Sequence, residues 1–156
     1  MDIFEEEITS FFQLLNKHSV KYILVGGFAV NYHGFSRATG DVDLWLEDSE
    51  ANRKKLVAAL KENNVEGGEA FLTYPFIAGY SELLLGNGIY IDLMSDLQFL
   101  KQSNFDECYQ YANNYQVLEN LEVKVITVNR LIEEKEQSSR AKDKEDAEQL
   151  KKLYRK

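Results

Sequence analysis

Apolar positions along the chain follow two distinct periods. Phe4, Ile8, Phe11, Phe12 and Leu15 share one face of a 3.6-residue repeat, which predicts an opening helix from about Ile3 to His18 with Asp2 as its cap. Tyr22 to Val25 is a short continuous apolar run stopped by Gly26-Gly27, the pattern of a buried strand that breaks at a tight turn, and Phe28 to His33 follows as a short helix. Asp41-Val42-Asp43-Leu44-Trp45-Leu46 alternates strictly and reads as a second strand. Ser49 is placed to cap a helix through about Asn63, with Leu56, Val57 and Leu60 on its inner side.

Beyond a Gly67-Gly68 loop and the lone Pro75, Ser81 to Leu85 and Ile89 to Met94 are apolar runs joined by Gly86-Asn87-Gly88, residues that tolerate positive φ, so a hairpin is expected. Asp96 to Tyr115 is polar with scattered aromatics and reads as partly helical. Val117 to Leu118 and Leu121 to Val128 flank the turn Glu119-Asn120, and the alternation of Leu121, Val123 and Val125 favours strand. Two helices close the chain, about Arg130 to Ser138 and Asp143 to Tyr154, the second with Ala147, Leu150 and Tyr154 on one face. This order predicts a mixed α/β (α+β) layer fold with a C-terminal helical pair, and 156 residues suit one domain spanning 1–156.

Charge narrows the function. Eighteen Lys and Arg against 26 Asp and Glu give −8, which argues against a protein that coats extended nucleic acid, although an acidic chain can still bind nucleotides through a metal. Residues 129–156 hold nine of the basic and seven of the acidic residues, so the tail is locally positive. One cysteine, Cys108, leaves no intrachain disulfide and suits a reducing cytoplasm. The acidic stretch Met1 to Glu7 is unlike a secretory signal and no apolar run is long enough to span a bilayer, so a soluble cytoplasmic protein is expected. With only His18 and His33 available, a metal would be held mainly by carboxylates, which favours Mg²⁺ or Mn²⁺.

Three places carry candidate chemistry. Asp41 and Asp43 are two apart on a strand, so both carboxylates leave the same face, while Val42, Leu44 and Leu46 leave the other; Trp45 shares the face of the acids. Two such carboxylates repel unless a cation lies between them, although Asp-x-Asp alone also suits a solvated strand edge. Asp92 stands inside Ile89-Tyr90-Ile91-Asp92-Leu93-Met94, where a buried unpaired charge is costly; if that strand neighbours the first acidic one, the three carboxylates meet. Gly26-Gly27, ending a strand and opening a helix, lets a phosphate approach backbone amides.

The combination of Val25-Gly26-Gly27, thirteen residues, Asp41-Val42-Asp43 and a later apolar-Asp-apolar strand at Asp92 resembles the nucleotidyltransferase superfamily of the DNA polymerase beta type. The stretch from Leu24 to Leu44 is similar to small prokaryotic minimal nucleotidyltransferases, among them the nucleotidyltransferase component of AbiE-type abortive-infection, toxin–antitoxin systems. Lys135 and the tail Arg140-Ala141-Lys142-Asp143-Lys144-Glu145-Asp146 resemble their Lys, then Arg-x-Lys-Asp-x-x-Asp ending. The resemblance implies a nucleotidyltransferase fold, two magnesium ions on Asp41 and Asp43 with Asp92 completing one shell, and attack of an acceptor hydroxyl on the α-phosphate of a nucleoside triphosphate such as ATP, releasing pyrophosphate. It departs at the turn, where many active members have Ser and this chain has Gly27.

Arg37, Lys135, Arg140 and Lys142 are the candidate cations for the triphosphate, each also suited to a solvated or ion-paired surface. Tyr32 and His33 stay outside the candidate set. The rival reading is a catalytically silent nucleotidyltransferase fold acting as a binding or antitoxin-like partner protein, although all three carboxylates are present. A carboxylate-metal phosphohydrolase fits Asp-x-Asp but not the preceding Gly-Gly turn. The acceptor, whether a small molecule, a protein side chain or a tRNA end, is not readable from sequence.

Overall fold

The computed structural model describes residues 2–72 and 81–154; Pro75 lies outside them. The elements are α1 (Glu6–Lys17), β1 (Tyr22–Val25), α2 (Gly26–Tyr32), β2 (Asp41–Leu46), α3 (Glu50–Glu62), β3 (Ser81–Leu85), β4 (Ile89–Met94), α4 (Phe105–Tyr111), β5 (Asn113–Leu118), β6 (Leu121–Val125), α5 (Val128–Glu136) and α6 (Ala141–Tyr154), with 3₁₀ turns at Gly68–Leu72, Gly86–Gly88 and Gln102–Asn104. The strands form one six-stranded sheet ordered β3-β4-β2-β1-β6-β5. β2 pairs parallel with β4 and β1 parallel with β6, while β1–β2, β3–β4 and β5–β6 are antiparallel. The expected mixed α/β class is what the chain adopts.

Strand parity decides what each face does. Val42, Leu44 and Leu46 are fully buried and leave the face where Phe12 of α1 packs on Tyr22, ring centroids 5.6 Å apart. Each large apolar side chain so buried contributes about 1.5–3 kcal/mol. The opposite face carries Asp41, Asp43 and Trp45. It is covered only in part: Trp45 meets Phe105 of α4 edge-on at 5.3 Å and donates its indole N–H to the Ser95 carbonyl at 2.7 Å. That contact removes Trp45 from solvent and leaves the Asp end of the strand open.

Local signals set most boundaries. The Ser49 hydroxyl accepts from the Asn52 amide N–H at 3.1 Å and caps α3. The buried Asn52 side chain then bridges Lys21 and Glu47, donating to both carbonyls and accepting from the Lys21 N–H, so it ties the start of β1 to the end of β2. Gly88, at φ +74, closes the β3–β4 hairpin.

Four expectations change. The first helix begins at Glu6, not Ile3, because the Asp2 carboxylate accepts from Phe4 N–H and its carbonyl from Glu5 N–H, which makes a turn; Phe4 is therefore 52% exposed rather than on the buried face. The segment to Tyr115 ends as strand, with β5 starting at Asn113 and pairing with β6. β6 stops at Val125, and α5 opens at Val128 under a Thr127 cap. Tyr154 is half exposed although Ala147 and Leu150 on the same helix are buried.

Candidate active site

The two parallel strands β2 and β4 run side by side in a register that sets Asp43 opposite Asp92, and antiparallel β3 places Glu82 opposite Asp92 in turn. Directly paired residues point to the same face, so Asp43, Asp92 and Glu82 form a row across three strands, with Asp41 one step along β2. Glu82 was missed in the sequence because its alignment with Asp92 is a property of strand register.

The row is electrostatically strained. Burial pushes the Asp43 carboxyl up to about 7, helped by a hydrogen bond to Asp92 and by the charges of Asp92 and Asp41, while Lys135 pulls the other way. Asp92 is raised as well, first by burial and then by Asp41, and its contacts with Asp43 and Glu82 oppose the rise. Glu82 is raised by desolvation and by Asp92. Oδ1 of Asp92 is buried with no hydrogen-bond partner. A buried oxygen of this kind is costly unless a cation or a donor meets it.

The Gly26-Gly27 turn packs directly on this strand. Gly26 has φ +69, and a Cβ there would lie 1.9 Å from Asp43 Oδ2; one on Gly27 would lie 2.3 Å from the Thr39 hydroxyl oxygen. The missing Cβ atoms therefore allow side chains of Asp43 and Thr39 to cross the turn. Asp43, Asp92 and Gly26 border a cleft of about 640 Å³ whose other walls include Leu97, Lys135 and Arg140.

The candidate cations separate into three groups. Lys135 lines the cleft, 11% exposed, with its Nζ 2.9 Å from Asp143 and 3.1 Å from Asp146. Arg140 sits at the cleft rim, exposed, 3.9 Å from Asp143. Arg37 is turned away: its Nε and Nη2 donate to the two oxygens of Asp146 at 2.8 and 2.9 Å and its Nη1 to the Ala38 carbonyl, so it braces the loop behind Gly27 rather than the cleft. Lys142 stands on the exposed side of α6, outside the cleft lining. Gly27 and Asp41 also lie outside that lining, Asp41 beside it on β2.

Asp143 is held charged. Burial opposes this, but hydrogen bonds from the Ser138 hydroxyl at 2.7 Å and from Lys135 outweigh it and lower its pKa. Two further cleft features escaped the sequence. Lys101 reaches the wall from the loop after β4, donating to the Leu97 carbonyl at 2.9 Å. The Glu134 carboxylate accepts from the backbone N–H groups of Gln98, Phe99 and Leu100 at 2.7 to 3.1 Å, which fastens that loop to α5. An isolated Lys or Glu in a polar stretch carries no periodic signal that could have shown either.

An all-oxygen donor set with a buried unpartnered carboxylate oxygen fits a hard divalent cation. Among the described residues no three His, Cys, Asp or Glu side chains converge as a ready-made cage. The fit thus centres on Asp43 and Asp92, with Asp41 and Glu82 flanking them.

No family model and no curated protein matches the sequence. A solved structure from Thermotoga maritima, described as a "putative nucleotidyltransferase", is similar in shape, with a TM-score of 0.60 over 93% of this chain and 88% of that one, at 15% identity. The fold is nucleotidyltransferase-like. No helix among the described residues is long and apolar enough to cross a membrane.

Proposed function

We propose that this protein is a metal-dependent nucleotidyltransferase that moves a nucleoside monophosphate from a nucleoside triphosphate to an acceptor hydroxyl and releases pyrophosphate. The observation that carries this reading is the pairing of Asp43 with Asp92 on neighbouring parallel strands against the Gly26 turn, with a buried Asp92 oxygen left without a partner. The nucleotidyltransferase-like fold supports the same class of reaction.

Asp43 and Asp92, with Asp41 beside them on β2, would hold Mg²⁺ or Mn²⁺. Bound there, the cation supplies positive charge that offsets the carboxylates and draws electrons from the phosphate being attacked. The chain's own groups do the rest. The glycine turn lacks the Cβ atom that would displace Asp43, so the carboxylate lies directly against the turn at the cleft wall. Lys135, fixed by Asp143 and Asp146 at the cleft wall, offers an ammonium to charge that builds on the departing pyrophosphate. Arg140 adds an exposed cation at the rim. As the acceptor oxygen bonds to the α-phosphorus, the bond from phosphorus to the bridging oxygen breaks, and the acceptor proton passes to a carboxylate of the row.

The test is incubation of wild-type and Asp43→Asn protein with each labelled nucleoside triphosphate and magnesium in host lysate, followed by identification of the labelled species. Label on a small molecule, a protein or a tRNA end names the acceptor. No transfer by wild type, together with no magnesium-dependent nucleotide binding by calorimetry, refutes the reading.

A further inference from the structure

A second cavity, of about 480 Å³, shares no lining residue with the acidic cleft. Its wall is made by Tyr32, His33, Asn113, Thr127, Asn129 and Tyr154, with Val128, drawn from the ends of α2 and α6 and the starts of β5 and α5. Among the described residues no Asp, Glu, Lys or Arg lines it, in a chain whose charged fraction is 28%. The polar groups that remain are amides, hydroxyls and one imidazole, so the wall is suited to a neutral occupant with hydrogen-bonding edges.

The imidazole is fixed. His33 is 5% exposed, and its Nε2–H donates to the Ile126 carbonyl at 2.6 Å. A nitrogen that donates to a carbonyl carries the proton, which leaves Nδ1 as a lone-pair acceptor in the neutral ring. Nδ1 has no hydrogen bond to any described residue. Burial also lowers the pKa of this histidine, against the effect of the Ile126 carbonyl, which keeps the ring neutral near pH 7. Two tyrosines flank it: Tyr32 and Tyr154 stand edge-on to the imidazole at 4.9 and 6.1 Å, and Tyr32 is braced from behind by Tyr115 at 4.7 Å.

We propose that this cavity binds a nucleobase carrying an exocyclic amino group, such as adenine or cytosine, stacked against Tyr154 with an amino N–H donated to His33 Nδ1. Tyrosine faces give stacking energy to any planar base, the fixed acceptor selects an N–H donor, and the Asn113 and Asn129 amides can meet the remaining ring edge. The volume holds one nucleoside. The site is separate from the acidic row, and it needs neither metal nor phosphate.

The experiment titrates the full chain, without metal, with adenosine, with purine riboside and with N-acetyltyrosinamide, following the His33 and tyrosine ring resonances by NMR. Wild type and Asp43→Asn are expected to bind adenosine alike and saturably. Tyr154→Ala, at a half-exposed position, is expected to bind it at least about tenfold more weakly while keeping the wild-type backbone NMR spectrum away from the cavity. Purine riboside, lacking the amino group, is expected to lose roughly tenfold, the worth of one hydrogen bond. Absence of saturation, equal binding by Tyr154→Ala, or equal binding of purine riboside overturns the proposal. Loss in Asp43→Asn assigns the ligand to the acidic cleft and also overturns it. Equal binding of N-acetyltyrosinamide reassigns the cavity to an aromatic side chain of a partner protein.

Discussion

Replacing Asp43 by Asn is expected to make the metal-free protein more stable while abolishing its binding of a metal triphosphate. The carboxyl has its ordinary value of 3.8 when unfolded and about 7 when folded. Between those values the folded state keeps a proton that the unfolded state has lost. Stability from this group is therefore complete below about pH 4, falls as pH rises, and is gone above about pH 7. At 1.36 kcal/mol per pH unit, the span corresponds to a loss on the order of 4 kcal/mol, about 3 of which lies between pH 5 and pH 8. Asparagine copies the shape of the protonated carboxyl, still donates to Asp92, and does not titrate. The assay is urea unfolding in EDTA across that range. Wild type is expected to lose about 3 kcal/mol, or roughly 6–12 °C in Tm, and the variant much less. Parallel curves for the two proteins would refute the argument that the acid row is held under electrostatic strain.

Three further outcomes follow from the geometry. Asp146→Ala, which removes a carboxylate 1% exposed and bound to both Arg37 and Lys135, is expected to cost about 3–5 kcal/mol in chemical denaturation, whereas loss of the exposed Lys142 side chain changes stability within about 0.5 kcal/mol. Gly27→Ser is expected to destabilise by about 1–3 kcal/mol because its Cβ meets Thr39, and a second change, Thr39→Gly, is expected to restore most of that in thermal melts. Lys135→Ala is expected to weaken magnesium-triphosphate binding by calorimetry at least tenfold, about 1.4 kcal/mol, and Lys142→Ala to leave it unchanged.

The parts of this molecule legible in its sequence are those with a strong local period. β2 announced itself by alternation, the β3–β4 hairpin by Gly86 and Gly88, and α3 by Ser49, whose hydroxyl makes the expected cap. β5 was hidden because Asn113 to Gln116 is polar and mostly exposed, held in strand form by its ladder to β6 rather than by its own composition. For the site, same-face placement of Asp41 and Asp43 needs only the period of a strand. Placing Glu82 beside Asp92 needs the register of the β3–β4 pair, and the diversion of Arg37 to Asp146 needs a contact across 109 positions. Counting charges assigned Arg37 to phosphate; the buried carboxylate on α6 claims it instead.

That long span has a temporal consequence. Arg37 leaves the ribosome well before Asp146, and at 5–20 residues per second the interval is roughly 5 to 20 s. In its later part, once the residues of β4 have followed those of β2, the acidic strands have been made but not the helix that anchors Lys135 and the Gly27 loop. A nascent chain therefore carries the carboxylates of the cleft before Asp143 and Asp146 can hold Lys135 beside them.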